Sequence, residues 1–190
     1  ASDILGDEVI IDREYCLPGD FERIKEFGFN RIGVRGPVSK RILADYGIES
    51  TVIGDPALHL EPSDYSYERN RRIIVALRRP GSDKRSKDTK YIDSIIEFCN
   101  SIDESGVLFM PFKPEDIPIN VYAAKHVSNS DLYVTHHRQF DNILNTINNS
   151  DVMVGERLHA SILAAACFTP FISLEYRTKN LDFARSIQMK

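Results

Sequence analysis

A chain of 190 residues, 42% hydrophobic and 27% charged, is long enough for one sizeable domain, or for one domain and part of another, and has an ordinary globular composition. Its 24 Lys and Arg against 28 Asp and Glu leave a net charge of −4, which excludes a general attraction to nucleic acid or to an anionic membrane surface. Any anion binding must therefore come from local arrangement.

Short apolar runs alternate with helix-length amphipathic segments, the pattern of an α/β protein. Glu8–Ile11 reads as a strand and Asp20–Phe27 as a helix stopped at Gly28. Arg31–Arg35 is a second strand. Gly36-Pro37 opens a helix with proline at its first position, with Ile42, Leu43 and Tyr46 inward and Gly47 ending it. Ser50–Ile53 is a third strand. A polar, aperiodic stretch over residues 61–71 reads as a linker. Beyond it come the strand Ile73–Leu77, the helix Tyr91–Ile102, the strand Val107–Met110 and the helix Pro118–Val127. The strand Leu132–Val134, the helix Phe140–Asn148, the strand Asp151–Val154 and a final strand Phe171–Leu174 complete the series. About five strands after the linker predict a Rossmann-like parallel sheet over residues 72–190, with residues 1–60 holding three more strands.

The three cysteines, Cys16, Cys99 and Cys167, stand alone in apolar surroundings without metal-ligand spacing, and read as buried thiols of a reducing compartment. The chain starts without a signal-peptide pattern. Its longest apolar stretch, residues 160–172, is interrupted by Ser161, Thr169 and Pro170 and falls short of the about 20 residues that cross a bilayer. The expectation is a cytoplasmic protein without membrane insertion.

The most informative segment is Gly155-Glu156-Arg157-Leu158-His159-Ala160. An apolar run stops at Gly155, and an Ala-rich helix follows, closed by Pro170: strand, glycine turn, helix. Arg157 and His159 then fall in the first turn of that helix, where backbone N–H groups lack partners and the dipole favours anions. A phosphate- or carboxylate-bearing guest suits such a place. Glu156 either charges the helix start or orients His159.

Ligands of open α/β sheets bind beyond the carboxyl ends of the strands. Polar residues directly following predicted strands are Arg35, Asp55, Arg78, Arg79, His136, His137, Glu156, Arg157, His159, Glu175, Tyr176, Arg177 and Lys179. No Gly-x-Gly-x-x-Gly or Walker loop is present, which argues against a dinucleotide or an NTP. Commonplace readings stand beside these: a surface ion pair for a lone arginine, solvated loop for the histidine pair, an interface aromatic for Tyr176, a solvated lysine for Lys179. No third ligand accompanies the histidine pair, so no metal is expected.

Four motifs now stand in order: Val34-Arg35-Gly36-Pro37-Val38-Ser39, Val52-Ile53-Gly54-Asp55-Pro56-Ala57-Leu58, Glu156-Arg157-Leu158-His159-Ala160 and Leu174-Glu175-Tyr176-Arg177-Thr178-Lys179. Together they resemble the polysaccharide pyruvyl transferase family, from about Asn30 to the end of the chain. The resemblance implies two Rossmann-like domains in a GT-B-like arrangement, with residues 1–60 as the end of the N-terminal domain and 72–190 as the C-terminal donor-binding domain. It implies transfer of pyruvyl from phosphoenolpyruvate to two hydroxyls of a sugar or lipid-linked saccharide in exopolysaccharide or cell-surface polysaccharide synthesis, forming a ketal and needing no further cofactor. Family chains are longer, so this one reads as a fragment. Arg157 and His159 match the Arg-Leu-His motif of the phosphoenolpyruvate end and, with Glu156, are the catalytic candidates. Arg78, Arg35, Tyr176 and Lys179 are the substrate-binding candidates, Arg35 through an Arg-x-x-x-Ser segment. Alternatives are a GT-B glycosyltransferase using a nucleotide sugar and a non-catalytic sugar-phosphate-binding module.

Overall fold

The computed structural model describes residues 18–64, 69–80, 90–102, 106–134, 140–174 and 178–189. The predicted strand Glu8–Ile11, Cys16, the histidine pair and Glu175, Tyr176 and Arg177 lie outside them. The described residues fall into two compact units, one within Ala1–Pro56 and Arg177–Lys190, the other within Ala57–Tyr176.

The first unit carries the helix α1 (Pro18–Glu26), the strand β1 (Gly33–Val34), the helix α2 (Pro37–Asp45) and the strand β2 (Thr51–Val52). β1 and β2 pair in parallel, with Gly33 opposite Thr51. Both strands are shorter than their apolar runs, because the ladder holds only from the Thr51 N–H on the Ile32 carbonyl to the Ile53 N–H on that of Val34, both 2.9 Å. Phe21, Leu43 and Ile48 form the core, with Ile24, Ile32, Val34 and Ile42 against it. Tyr46 stays partly exposed and stacks on Phe21 with ring centroids 3.9 Å apart.

A C-terminal helix completes this unit. Its apolar periodicity is weak, because its buried face includes the polar Asn180 and Asp182 beside Phe183. Asp182 caps α2 across 144 residues of sequence: its carboxylate accepts the Val38 N–H at 2.8 Å and the Ser39 N–H at 3.3 Å. Gly36 is what lets it approach, since a Cβ there would sit 2.1 Å from the Asp182 Oδ1.

The second unit is built on five parallel strands: β3 (Arg72–Ala76), β4 (Gly106–Phe109), β5 (Ser130–Leu132), β6 (Val152–Gly155) and β7 (Phe171–Ser173). Their spatial order is β5-β4-β3-β6-β7. The chain thus starts at the centre, builds outward through β4 and β5, then returns to the other side of β3 for β6 and β7.

Helices cover both faces. With the C-terminal helix numbered last as α7 (Thr178–Ser186), those of the second unit are α3 (Lys90–Asn100), α4 (Ile117–His126), α5 (Phe140–Asn148) and α6 (Leu158–Ala166). Ile74, Ala76, Leu108 and Met153 pack on one face with Ile143, Leu144 and Ile147 of α5 and Ala160, Leu163 and Ala164 of α6. Ile73, Val75, Val107 and Phe109 pack on the other with Ile92 and Cys99 of α3 and Ala123 of α4. A strand covered on both faces cannot alternate apolar and polar, which is why Ile73–Leu77 is an unbroken apolar run. Burial pushes the Cys167 thiol up to about 12 and raises that of Cys99 as well. Among the described residues no helix is long and apolar enough to cross a membrane.

Candidate active site

β3 and β6 are neighbours whose following connections leave toward opposite sides, and in open α/β sheets the ligand crevice belongs at such a switch point, beyond the carboxyl ends of the two strands. The Glu156-Arg157-Leu158-His159 segment lies there, beside Arg78. Tight geometry fixes it. Gly155 is the last residue of β6, and a Cβ on it would come 2.7 Å from the Ala160 Cβ. The Glu156 N–H continues the ladder onto the Ala76 carbonyl at 3.1 Å. Arg157, with φ −78° and ψ 130°, is the N-cap residue of α6 rather than part of its first turn, and its carbonyl accepts the Ala160 N–H at 2.9 Å. His159 follows as the second helical residue and is exposed.

The Arg157 side chain is 12% exposed and is gripped by Asp116. Nε donates to Oδ2 at 2.8 Å and Nη2 to Oδ1 at 2.6 Å, with Glu115 3.5 Å from Nη2. Such bidentate pairing fixes a guanidinium in plane as well as in place. The backbone N–H of Glu115 and the charges of Lys113 and Arg157 hold the Glu115 carboxyl below its ordinary value.

Glu156 is buried, and its Oε2 accepts the Arg78 N–H at 2.8 Å and the Tyr91 hydroxyl at 3.2 Å. Desolvation raises the Glu156 carboxyl above its usual range, against the pull of these two donors and of the Arg78 charge. Desolvation, reinforced by the Glu156 charge, also raises the Tyr91 hydroxyl. The sequence offered Glu156 as a charge at the helix start or as the partner of His159; in the structure its carboxylate ties the end of β3 to the end of β6.

Three successive residues beyond β3 are each held by a side chain. Asn120 accepts the Leu77 N–H at 3.2 Å and donates to its carbonyl at 2.9 Å. Glu156 takes the Arg78 N–H and Asp116 the Arg79 N–H, the latter at 2.9 Å. Arg78 itself is 1% exposed, and its charge is felt by the Glu156 carboxyl and the Tyr91 hydroxyl.

The strand-end rule missed Glu115, Asp116 and Asn120, which follow β4 at a distance, at the start of α4. Their signal was Lys113-Pro114-Glu115-Asp116-Ile117-Pro118, an acidic pair between prolines at a helix start. These carboxylates set negative charge directly against the Arg157 guanidinium. Arg35 and Lys179 belong to the first unit. There the Arg35 Nε lies 2.7 Å from the Oδ2 of buried Asp55, joining two predicted strand-end residues, and Lys179 is exposed on α7. Tyr176 falls outside the described residues. Among the described residues no group of three or more His, Cys, Asp and Glu side chains is arranged to hold a metal ion.

No curated protein matches this chain in sequence. The family model for polysaccharide pyruvyl transferase matches residues 22–178, a span that takes in most of both units and the whole of the crevice between the ends of β3 and β6. The chain belongs to the polysaccharide pyruvyl transferase family.

Proposed function

We propose that this chain takes part in transferring pyruvyl from phosphoenolpyruvate to two hydroxyls of a saccharide, forming a cyclic ketal and releasing inorganic phosphate. One observation supports the reading above others: the Glu-Arg-Leu-His segment of a pyruvyl transferase family member stands at the switch point of a parallel sheet, with an ordered arginine and an exposed histidine at the start of a helix. Phosphoenolpyruvate brings a phosphate and a carboxylate, and both suit a helix start lined with a cation.

In this scheme Arg157 grips a donor oxyanion. Asp116 holds its Nε–Nη2 edge, so the anion is met elsewhere on the guanidinium. Arg78 contributes positive charge from below. His159 supplies the proton that turns the donor methylene into a methyl group, leaving an electrophilic carbon. One sugar hydroxyl adds to that carbon and loses its proton. The carbon–oxygen bond to phosphate breaks, with the departing charge stabilised by Arg157 and His159. The second hydroxyl then adds, loses its proton and closes the ring.

Thermal-shift titration with phosphoenolpyruvate, UDP-sugars and CMP-sugars tests the donor. A rise in Tm with phosphoenolpyruvate alone is expected; a rise with a nucleotide sugar alone replaces this reading by glycosyl transfer.

A further inference from the structure

We infer that Asp116 is the positioning residue of the crevice: it presets the Arg157 guanidinium against the Arg79 backbone so that a donor anion meets one fixed orientation. The inference rests on the donor reading given above.

Asp116 is fully buried, and its two carboxylate oxygens accept three N–H groups from two different strand ends. Nε and Nη2 of Arg157 come from the β6 side and the Arg79 N–H from the β3 side. The carboxylate therefore spans the switch point. It is itself anchored, because Asn120, one turn along α4, donates to the Asp116 carbonyl at 2.8 Å while clamping Leu77. An aspartate at a helix start ordinarily caps its own helix, yet Asp116 makes no side-chain cap bond to α4. Nor is stability a sufficient reason for the pair, since buried ion pairs are commonly replaceable by apolar groups at no loss. What the bidentate fork supplies is orientation. A guanidinium already held in place loses less side-chain freedom when it takes an anion, and small misplacements at a reacting centre are costly.

The test is a double-mutant cycle in the full-length protein, using Asp116→Asn, Arg157→Ala and the pair, with phosphate release from phosphoenolpyruvate as the assay. Asp116→Asn is expected to lower kcat/KM by about 10²-fold, and by less than about twofold once Arg157 is alanine. Equal losses in both backgrounds assign Asp116 to structure and overturn the inference. Should Asp116→Asn fail to fold, Asp116→Glu, which keeps the charge but shifts it by one methylene, takes its place with the same expected pattern. If the wild type neither binds phosphoenolpyruvate nor releases phosphate, the donor reading falls. Asp116 is then judged by NMR of the Arg157 Nε–H: slow exchange in the wild type that is lost in the variant supports the inference, and equal exchange in both overturns it.

Discussion

Asp116 and Arg157 meet through two parallel hydrogen bonds, 2.8 and 2.6 Å long, across 41 residues of sequence. The pair joins the segment after β4 to the segment after β6, and Asp116 reaches the end of β3 as well. Removing one partner leaves a buried charge unmatched. Arg157→Ala is therefore expected to destabilise the protein by about 3 kcal/mol, at the low end for a buried pair because the guanidinium keeps some exposure. Adding Asp116→Ala to it should cost less than the sum of the single changes. Urea unfolding of the four proteins measures both; strictly additive losses would show that the pair does not act as a unit.

The two motif side chains are assigned separate chemical roles, and each is testable alone. His159 is exposed on the first turn of α6, so His159→Ala is expected to lower kcat/KM by about 10²-fold, far more than any accompanying change in Tm accounts for. Steady-state phosphate release from phosphoenolpyruvate measures the loss. Near-wild-type turnover removes His159 from the mechanism.

Glu156 makes stability depend on pH in a particular direction. Its carboxyl is raised by desolvation, so the folded state binds that proton more tightly than the unfolded chain does. The contribution is complete below the unfolded value of about 4.3 and is lost as pH rises through the raised folded value. Glu156→Gln keeps an acceptor for the Arg78 N–H and cannot ionise. Unfolding free energies at steps between about pH 4 and 8 should fall more for the wild type than for this variant. Parallel curves would contradict the shift.

Gly155 tests the turn itself. A Cβ there would press on the Ala160 Cβ, so Gly155→Ala is expected to cost about 2 kcal/mol by overpacking. Ala160→Gly in the same chain removes the opposing methyl and should return part of the loss, less about 1 kcal/mol for glycine inside a helix. Thermal or urea unfolding reads both, and a double variant no better than the single would place the strain elsewhere.

The inner strands β3, β4 and β6 were legible because they are buried on both faces and stand out as apolar runs. The edge strand β5 runs over Ser130–Leu132 and not over the expected Leu132–Val134, since its Ser130 and Asp131 carry no apolar signal. Helix α5 was expected over Phe140–Asn148 and runs over those residues, since Ile143, Leu144 and Ile147 give it a buried aliphatic stripe that only Asn148, at its last position, interrupts. α7 was not expected, because the groups it buries include the polar Asn180 and Asp182, and the Asp182 carboxylate finds its partner 144 residues away. The site followed the same division. Arg157, His159 and Arg78 were visible through their place after strands. Asp116 and Asn120 were not, since a carboxylate that pairs across 41 residues leaves no local periodic trace.

The central claim is that a small anionic donor binds at the carboxyl ends of β3 and β6. A crystal structure with phosphoenolpyruvate soaked in tests it most directly. The expected result is donor density before the first turn of α6, with an oxyanion within hydrogen-bond distance of Arg157 or His159. Density for the donor at any other place, with this crevice empty at saturating concentration, would contradict it.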